Sequence, residues 1–185
     1  MLVIVLGAPG AGKTTLARRL AADLGLPLLV RDDLKEMLFD TLGWSDREWS
    51  RKLGAASWHL LHYMVERFLQ AGQSLVVESN FRGPDDADRF AALQEKYGCQ
   101  TVQVLCEADV ETLYARFKQR AESGERHPGH VDHVLLEDFS RVCREGNWQP
   151  LAMEGEVVRV DMRDFAAVDY AAIVAAIRRE GNCSA

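Results

Sequence analysis

The 185-residue sequence has no run of ~18 apolar residues, so no transmembrane helix is expected. Its four cysteines, Cys99, Cys106, Cys143 and Cys183, fall in no CxxC or other metal-ligand spacing. That reads as scattered, reduced thiols of a cytoplasmic protein, not as a disulfide framework or a metal knuckle. Basic residues are not in excess: the net charge is −6. A general nucleic-acid binder needs clustered Lys and Arg, so that class is disfavoured, although a local basic groove stays compatible. A basic leader is missing too. The opening LVIVL runs into a glycine-rich loop instead of a small-residue cleavage site, and is expected to be a first strand, not a signal peptide. Repeats, low-complexity segments and linkers are also lacking. With 48% hydrophobic and 27% charged residues, the chain reads as one globular domain over residues 1–185.

What is present alternates. Residues 2–6 form a continuous β-rich apolar run, as in a strand covered on both faces. From Thr14 the spacing turns helical, with Leu16, Leu20 and Leu24, and Gly25 offers a C-terminal cap. A short apolar run at 27–30 precedes Arg31-Asp32-Asp33 and a helix over Leu34–Phe39. Ser45-Asp46-Arg47-Glu48 matches a capping box, which starts a long helix ending near Gly72. Strands are expected at 74–77, 101–106 and 157–160. Helices are expected from Gly83-Pro84 to Gly98, over about 110–122 and 131–145, and at the C-terminal end to about Gly181. Such alternation implies a parallel sheet with helices on both faces, an α/β fold.

The loop at residues 7–14, GAPGAGKT, fits GxxxxGK(S/T) directly after a strand and before an amphipathic helix. Gly7, Gly10 and Gly12 allow dihedrals and close approach that side chains would block. With Ala8, Pro9, Ala11 and Thr15 they would turn backbone N–H groups toward a β-phosphate at the helix N-terminus. Lys13 would reach the β- and γ-phosphates, and the Thr14 hydroxyl would bind Mg²⁺. No GxGxxG is present, which excludes the dinucleotide fingerprint.

No NKxD guanine reader occurs, and the third strand ends LVVESN, not Asp-Glu. Glu78 stands where an acidic residue on the Mg²⁺ side belongs. Phosphoryl transfer to an acceptor needs a carboxylate near the acceptor hydroxyl and arginines that neutralise the moving phosphoryl group. Asp32 ends the second strand on the same sheet edge as the loop, so it is the candidate orienter or base; Asp33 suits the role of helix cap better. Arg116 and Arg120 share a helix face, and Arg126 follows in a Gly-containing loop. The three suggest a lid over the phosphates; the alternative is a solvated basic face paired with Glu111, Glu122 and Glu125. Asn80 and Arg82 lie after the third strand on the edge that would touch substrate.

Taken together, GAPGAGKTTLARRLA, VRDDLKE, VVESNF and LYARFKQRAESGERHPGH resemble the P-loop kinase group. The match is best to AAA_33-type ATP-binding proteins related to the polynucleotide 5′-hydroxyl kinase domain, and more distant to zeta-toxin-like and gluconate-kinase-like small-molecule kinases. The resemblance implies a single P-loop NTPase domain with strand order 2-3-1-4-5 and a lid over about 116–133. It also implies ATP and Mg²⁺ as cofactors and a hydroxyl-bearing acceptor. Asp32 maps to the family's base, Lys35 to an acceptor-side arginine and Arg120 to the arginine on the transferred phosphoryl. Lys35 replaces a bidentate fork by a point charge, which favours a small-molecule acceptor over a nucleic-acid end. A nucleotide-binding NTPase or regulatory module is a further reading, and the oligomeric state is left open.

Other groupings carry less. His127, His130 and His133 could suggest Zn²⁺, but Pro128-Gly129 interrupts any common helical face and favours loop contacts. His59 and His62, and Trp44, Trp49 and Trp58, read as structural residues of the long helix and its approach.

Overall fold

The computed structural model describes residues 1–124, 126–131, 136, 139, 141–144, 146 and 148–182. Its centre is a five-stranded, all-parallel sheet in the order β2-β3-β1-β4-β5. The strands are β1 (Leu2–Gly7), β2 (Leu28–Val30), β3 (Leu75–Glu78), β4 (Thr101–Glu107) and β5 (Glu156–Asp161). The helices are α1 (Lys13–Leu24), α2 (Arg31–Leu42), α3 (Arg47–Gln70), α4 (Gly83–Tyr97), α5 (Val110–Glu122) and α6 (Tyr170–Asn182). Of the helix expected over 131–145, Val131 is described and is not helical, whereas Leu136, Phe139 and residues 141–144 are described and helical. The order of strands is the expected one.

The two-residue period of β1 explains why it is apolar throughout. Val3 and Val5 point into one layer, with Leu16, Ala17 and Leu20 of α1, Phe117 of α5 and Ile177 of α6. Leu2, Ile4 and Leu6 point into the other, with Leu61 and Val65 of α3 and Phe90 of α4. A strand with helices on both faces has no solvent side, and all six of its residues are buried. Both β3 and β4 pair with β1, so the chain reverses its direction of travel across the sheet there. Ligands of open α/β sheets bind outside the strand carboxyl ends at such a reversal.

Two helix starts differ from expectation. The first, α2, begins at Arg31, directly from β2, with Val30 as its N-cap residue. Asp33 is therefore inside the first turn, exposed and paired with Arg18 at 3.3 Å; it caps nothing. The second, α3, is capped by Asp46, whose carboxylate accepts from Trp49 N–H at 2.9 Å, and not by Ser45. Shifting the start by one residue leaves Glu48 free to pair with Lys52 four residues on (2.9 Å) instead of folding back. In α4, Asp86 does more than complement the helix dipole. Its two oxygens accept from Arg82 N–H and Trp58 Nε1, both at 2.8 Å, which ties α4 to α3.

Candidate active site

The loop between β1 and α1 owes its shape to glycine. Gly7 has φ +137, and a Cβ there would stand 2.3 Å from the Cys106 carbonyl oxygen on β4. Gly10 has φ +83, and its Cβ would meet the Leu113 carbonyl oxygen of α5 at 2.7 Å. No side chain fits either place, so the loop can lie against β4 and α5 only with glycine. Lys13 is 6% exposed and donates to the Ala8 carbonyl at 2.8 Å, curled under the loop. Burial lowers its pKa, opposed by the Glu78 carboxylate. The Thr14 hydroxyl donates to Glu78 Oε2 at 2.8 Å. Glu78, 5% exposed at the end of β3, has its pKa raised by burial, although Lys13 and Thr14 pull the other way. A hydroxyl and a carboxylate side by side at a phosphate cradle are oxygen donors of the kind Mg²⁺ takes, so these residues fit the metal.

Asp32 faces this cradle from the first turn of α2. Arg126 Nη2 donates to Asp32 Oδ2 at 2.9 Å. Partial burial pushes the Asp32 pKa up, but the Arg126 charge and hydrogen bond, with the Arg31 charge, outweigh it and hold the carboxyl well below the usual range. The pairing continues along α2. His130 Nε2 lies 2.8 Å from Glu36 Oε1, and His127 Nε2 lies 3.3 Å from Asp40 Oδ1. Asp32, Glu36 and Asp40 are four residues apart and form one acidic stripe, which residues 126–131 cover. Burial and the neighbouring Arg126 charge lower the His130 pKa to about 3, so near neutral pH the ring is uncharged. Its partners then assign the tautomer: Nδ1 accepts from Arg126 and Nε2–H donates to Glu36.

Beneath these polar contacts lies an apolar seat. Phe39 is 1% exposed and stacks on His127 at 5.0 Å, and a Cβ on Gly129 would come within 2.7 Å of the Phe39 ring. The covering loop ends at Val131 with φ +52, a conformation a β-branched residue adopts only when its surroundings impose it.

Three cavities run into one another here. One of about 460 Å³ lies between Thr15, Arg18, Arg116 and the glycine loop; a central one of about 180 Å³ holds Lys13, Thr14, Asp32, Glu78, Asn80, Arg120 and Arg126. These two share Gly10, Lys13, Thr14, Asp32, Arg120 and Arg126. The third, about 510 Å³, opens between α2 and α3 and shares Arg31, Lys35 and His130 with the centre.

Of the residues singled out by sequence, this cleft gathers Lys13, Thr14, Asp32, Lys35, Glu78, Asn80, Arg116, Arg120 and Arg126. Arg116 also donates to the Arg163 carbonyl at 3.0 Å, and Glu122 is taken by Lys118, not by an arginine. Arg82 is set apart: its guanidinium lies over the Trp148 ring at 5.3 Å, and it lines none of the three cavities. Three further readings concern side chains outside the described residues: His133 as a ligand, and Glu125 and Cys183. Among the described residues, no group of three His, Cys, Asp or Glu side chains is placed to hold a metal ion. His62 is buried against Trp58, Phe81 and Phe90, as a structural residue would be. Cys99, Cys106 and Cys143 are free thiols. Arg31, Glu36, Asp40, Arg47 and Arg51 were not foreseen as site residues. The i, i+4 spacing of the α2 acids becomes a signal only once the helix is started at Arg31.

The sheet order, the glycine loop on the reversal point and the Thr14–Glu78 pair define a P-loop nucleotide-binding fold of the kinase group. The chain belongs to the AAA_33 family, described as an AAA domain, whose model matches residues 2–145. It is similar to a proposed kinase from Chloroflexus aurantiacus J-10-fl, at 40% identity over 97% of each chain, with a TM-score of 0.85. Two other solved structures share the fold. An unliganded sugar kinase from Janibacter sp. HTCC2649 is 17% identical over 99% of this chain and 95% of its own, with a TM-score of 0.56. A shikimate kinase from Bacteroides thetaiotaomicron is 18% identical over 97% and 95%, with a TM-score of 0.54. No curated protein matches the chain.

Proposed function

We propose that this protein transfers the γ-phosphoryl group of ATP, with Mg²⁺, to the hydroxyl of a small-molecule acceptor, with residues 1–185 as one catalytic unit and residues 116–133 as its lid. One observation carries the reading. An ionised carboxylate, Asp32, lines both the cavity beside the glycine loop and the central one, and the central one shares Arg31, Lys35 and His130 with the open cavity between α2 and α3, so donor and acceptor have separate chambers joined through the centre. Hydrolysis alone needs no second chamber. Kinase names among the structural neighbours agree with this reading.

The backbone N–H groups from Gly10 to Thr15 and the Lys13 ammonium hold the β- and γ-phosphates. Thr14 and Glu78 would hold Mg²⁺, which would supply positive charge to offset that developing on the phosphate oxygens. Asp32 accepts a hydrogen bond from the acceptor hydroxyl and aims its oxygen at the γ-phosphorus. With its pKa depressed, Asp32 is a weak base, and the proton passes to it late, once the new O–P bond has begun to form. Arg120 and Arg126, with Arg116 behind them, face the transferring group. Arg126 leaves Asp32 to do so, which removes the strongest of the charges lowering the Asp32 pKa and makes the carboxylate more basic at the moment a proton must be taken. Asn80 and Lys35 line the acceptor side of the central cavity. Such a reaction fits a cytoplasmic setting, and no described helix is long and apolar enough to cross a membrane.

The test is ATP consumption across a panel of alcohols, sugars, nucleosides and 5′-hydroxyl oligonucleotides, with wild type and Asp32→Ala. Acceptor-dependent consumption that is lost in Asp32→Ala, with nucleotide binding kept, is the expected result. Phosphate release at one rate whatever the acceptor would identify an NTPase instead.

A further inference from the structure

The chamber between α2 and α3 has a charge opposite to that of the molecule. The chain carries −6 overall, yet Arg31, Lys35, Arg47 and Arg51 all line this one cavity, against a single acid, Asp85. Arg47 and Arg51 are one turn apart on α3, and Arg31 and Lys35 one turn apart on α2, so the two pairs face each other across the opening. Arginines on an acidic protein ordinarily find carboxylates, and the neighbouring Lys52 does so, pairing with Glu48 at 2.9 Å. Neither Arg47 nor Arg51 has an ion-pair partner among the described residues. Arg31 is anchored at one end only: Nη1 donates to the Ser79 hydroxyl at 3.4 Å, while Nε is buried without a hydrogen-bond partner. Lys35 is steadied by the Ser50 hydroxyl at 3.0 Å.

Space has been left for these cations to converge. At Gly54, between the two pairs, an added Cβ would stand 3.6 Å from Arg31 Nη2 and from Lys35 Nζ. Anything larger than a methyl group at that position would push into them. The wall behind is rigid, because Trp58 is fixed by its hydrogen bond to Asp86 and by the Arg89 guanidinium 4.3 Å above its ring.

We infer that the acceptor is itself an anion: a small hydroxyl compound bearing a carboxylate or a phosphate ester, held by Arg31, Lys35, Arg47 and Arg51 while its hydroxyl reaches Asp32. The inference rests on the kinase reading and names its substrate class. Four cations gathered at one point cost stability through mutual repulsion, and a bound anion relieves it. Guanidinium forks suit both carboxylate and phosphate, so geometry favours neither. A polynucleotide is not the occupant favoured, because the cations stop at this chamber: Lys52 is neutralised by Glu48 and Asp85 stands at the other rim.

The test fills the phosphate cradle with ADP and Mg²⁺, so that added anions cannot bind there. Calorimetry then measures binding of matched sets of three to six carbons, each a neutral polyol with its carboxylate and its phosphate ester, plus a nucleoside with its 3′-monophosphate. ATP consumption is followed with the same compounds. Anionic members are expected to bind at least 10-fold more tightly than their neutral partners. The Arg47→Ala/Arg51→Ala double variant, altered only at exposed positions, is expected to lose that preference while keeping ADP affinity within twofold. The Arg47→Lys/Arg51→Lys variant is expected to keep part of it. Carboxylates alone, or phosphate esters alone, responding would identify the anion. Equal binding of neutral and anionic members, no binding by any anionic member, or an unchanged preference in the alanine variant overturns the inference. Salt-sensitive binding confined to 5′-hydroxyl oligonucleotides overturns it as well. If neutral polyols are phosphorylated as well as anions are, the kinase reading stands and only the inference fails; if nothing is phosphorylated although anions bind selectively, the kinase reading fails by itself.

Discussion

The two chambers of the cleft are built on opposite principles. On the proposed donor side the backbone shapes the cradle. Two glycines, Gly7 and Gly10, turn a loop so closely against β4 and α5 that side chains are shut out at both places, and the one long side chain, Lys13, is buried and tied to a carbonyl. On the proposed acceptor side the backbone is ordinary helix, and everything specific hangs on side chains: two pairs of cations and a braced tryptophan, with the Asp32 carboxylate beyond them in the central cavity. A backbone cradle recognises what every nucleoside triphosphate shares, whereas a side-chain wall can be refitted from one relative to the next without disturbing the sheet.

Substitutions should separate the halves. Lys13→Met removes the donor-side cation and is expected to lower kcat by about 100- to 1000-fold, the scale of losing one transition-state contact. Asp32→Asn acts in the central cavity. It should cost about 100-fold or more in kcat while leaving ADP affinity within twofold by calorimetry. Parallel loss of nucleotide affinity would mean that the halves are not separable. Gly10→Ala should destabilise the fold by about 1–3 kcal/mol in urea titration, since φ +83 and the Leu113 carbonyl both oppose a Cβ. No comparable cost is expected for Gly54→Ala, where the added carbon meets only ordinary contacts at 3.6 Å.

A further effect concerns pH. The unfolded chain protonates His130 below about pH 6.5, while the folded chain resists until about pH 3. Between those values the unfolded state binds more protons, so stability falls as pH falls, by at most about 1.4 kcal/mol per pH unit for one proton. Glu36 beside it has its pKa raised by burial, takes up its proton early in the folded state and offsets part of the loss. His130→Gln should flatten the acid limb in thermal melts at a series of pH values; an unchanged limb would place the sensitivity elsewhere.

The donor half was legible because its chemistry is local. Gly7 to Thr14 are contiguous, each position has a fixed physical reason, and strand and helix flank them. The alternation of strands and helices, and β1 itself, were legible for a related cause: continuous apolar runs and helical spacing report burial directly, whereas the strand order followed from the family resemblance. The acceptor half was not, because its members come together only through packing. Arg47 and Arg51 look like any solvated pair on a long helix until α3 is laid beside α2. A misplaced helix start hid more: beginning α2 at Leu34 made Asp33 a cap and broke the 32–36–40 acidic stripe from view. No residue at 30 advertises itself as a cap, since Val30 offers no side-chain acceptor and the helix grows straight from the strand. Arg82 lies outside the cleft because the sheet edge fixes where its Cα lies and not where its side chain turns, here toward Trp148.

The Arg126–Asp32 pair also fixes a sequence of events in the proposed reaction. An acceptor arriving at the ligand-free protein finds the carboxylate it needs already engaged by a guanidinium. Only a phosphate chain in the cradle offers Arg126 a competing anion. ATP should therefore load first and the acceptor second, and the steady-state pattern should be that of an ordered bi-substrate enzyme.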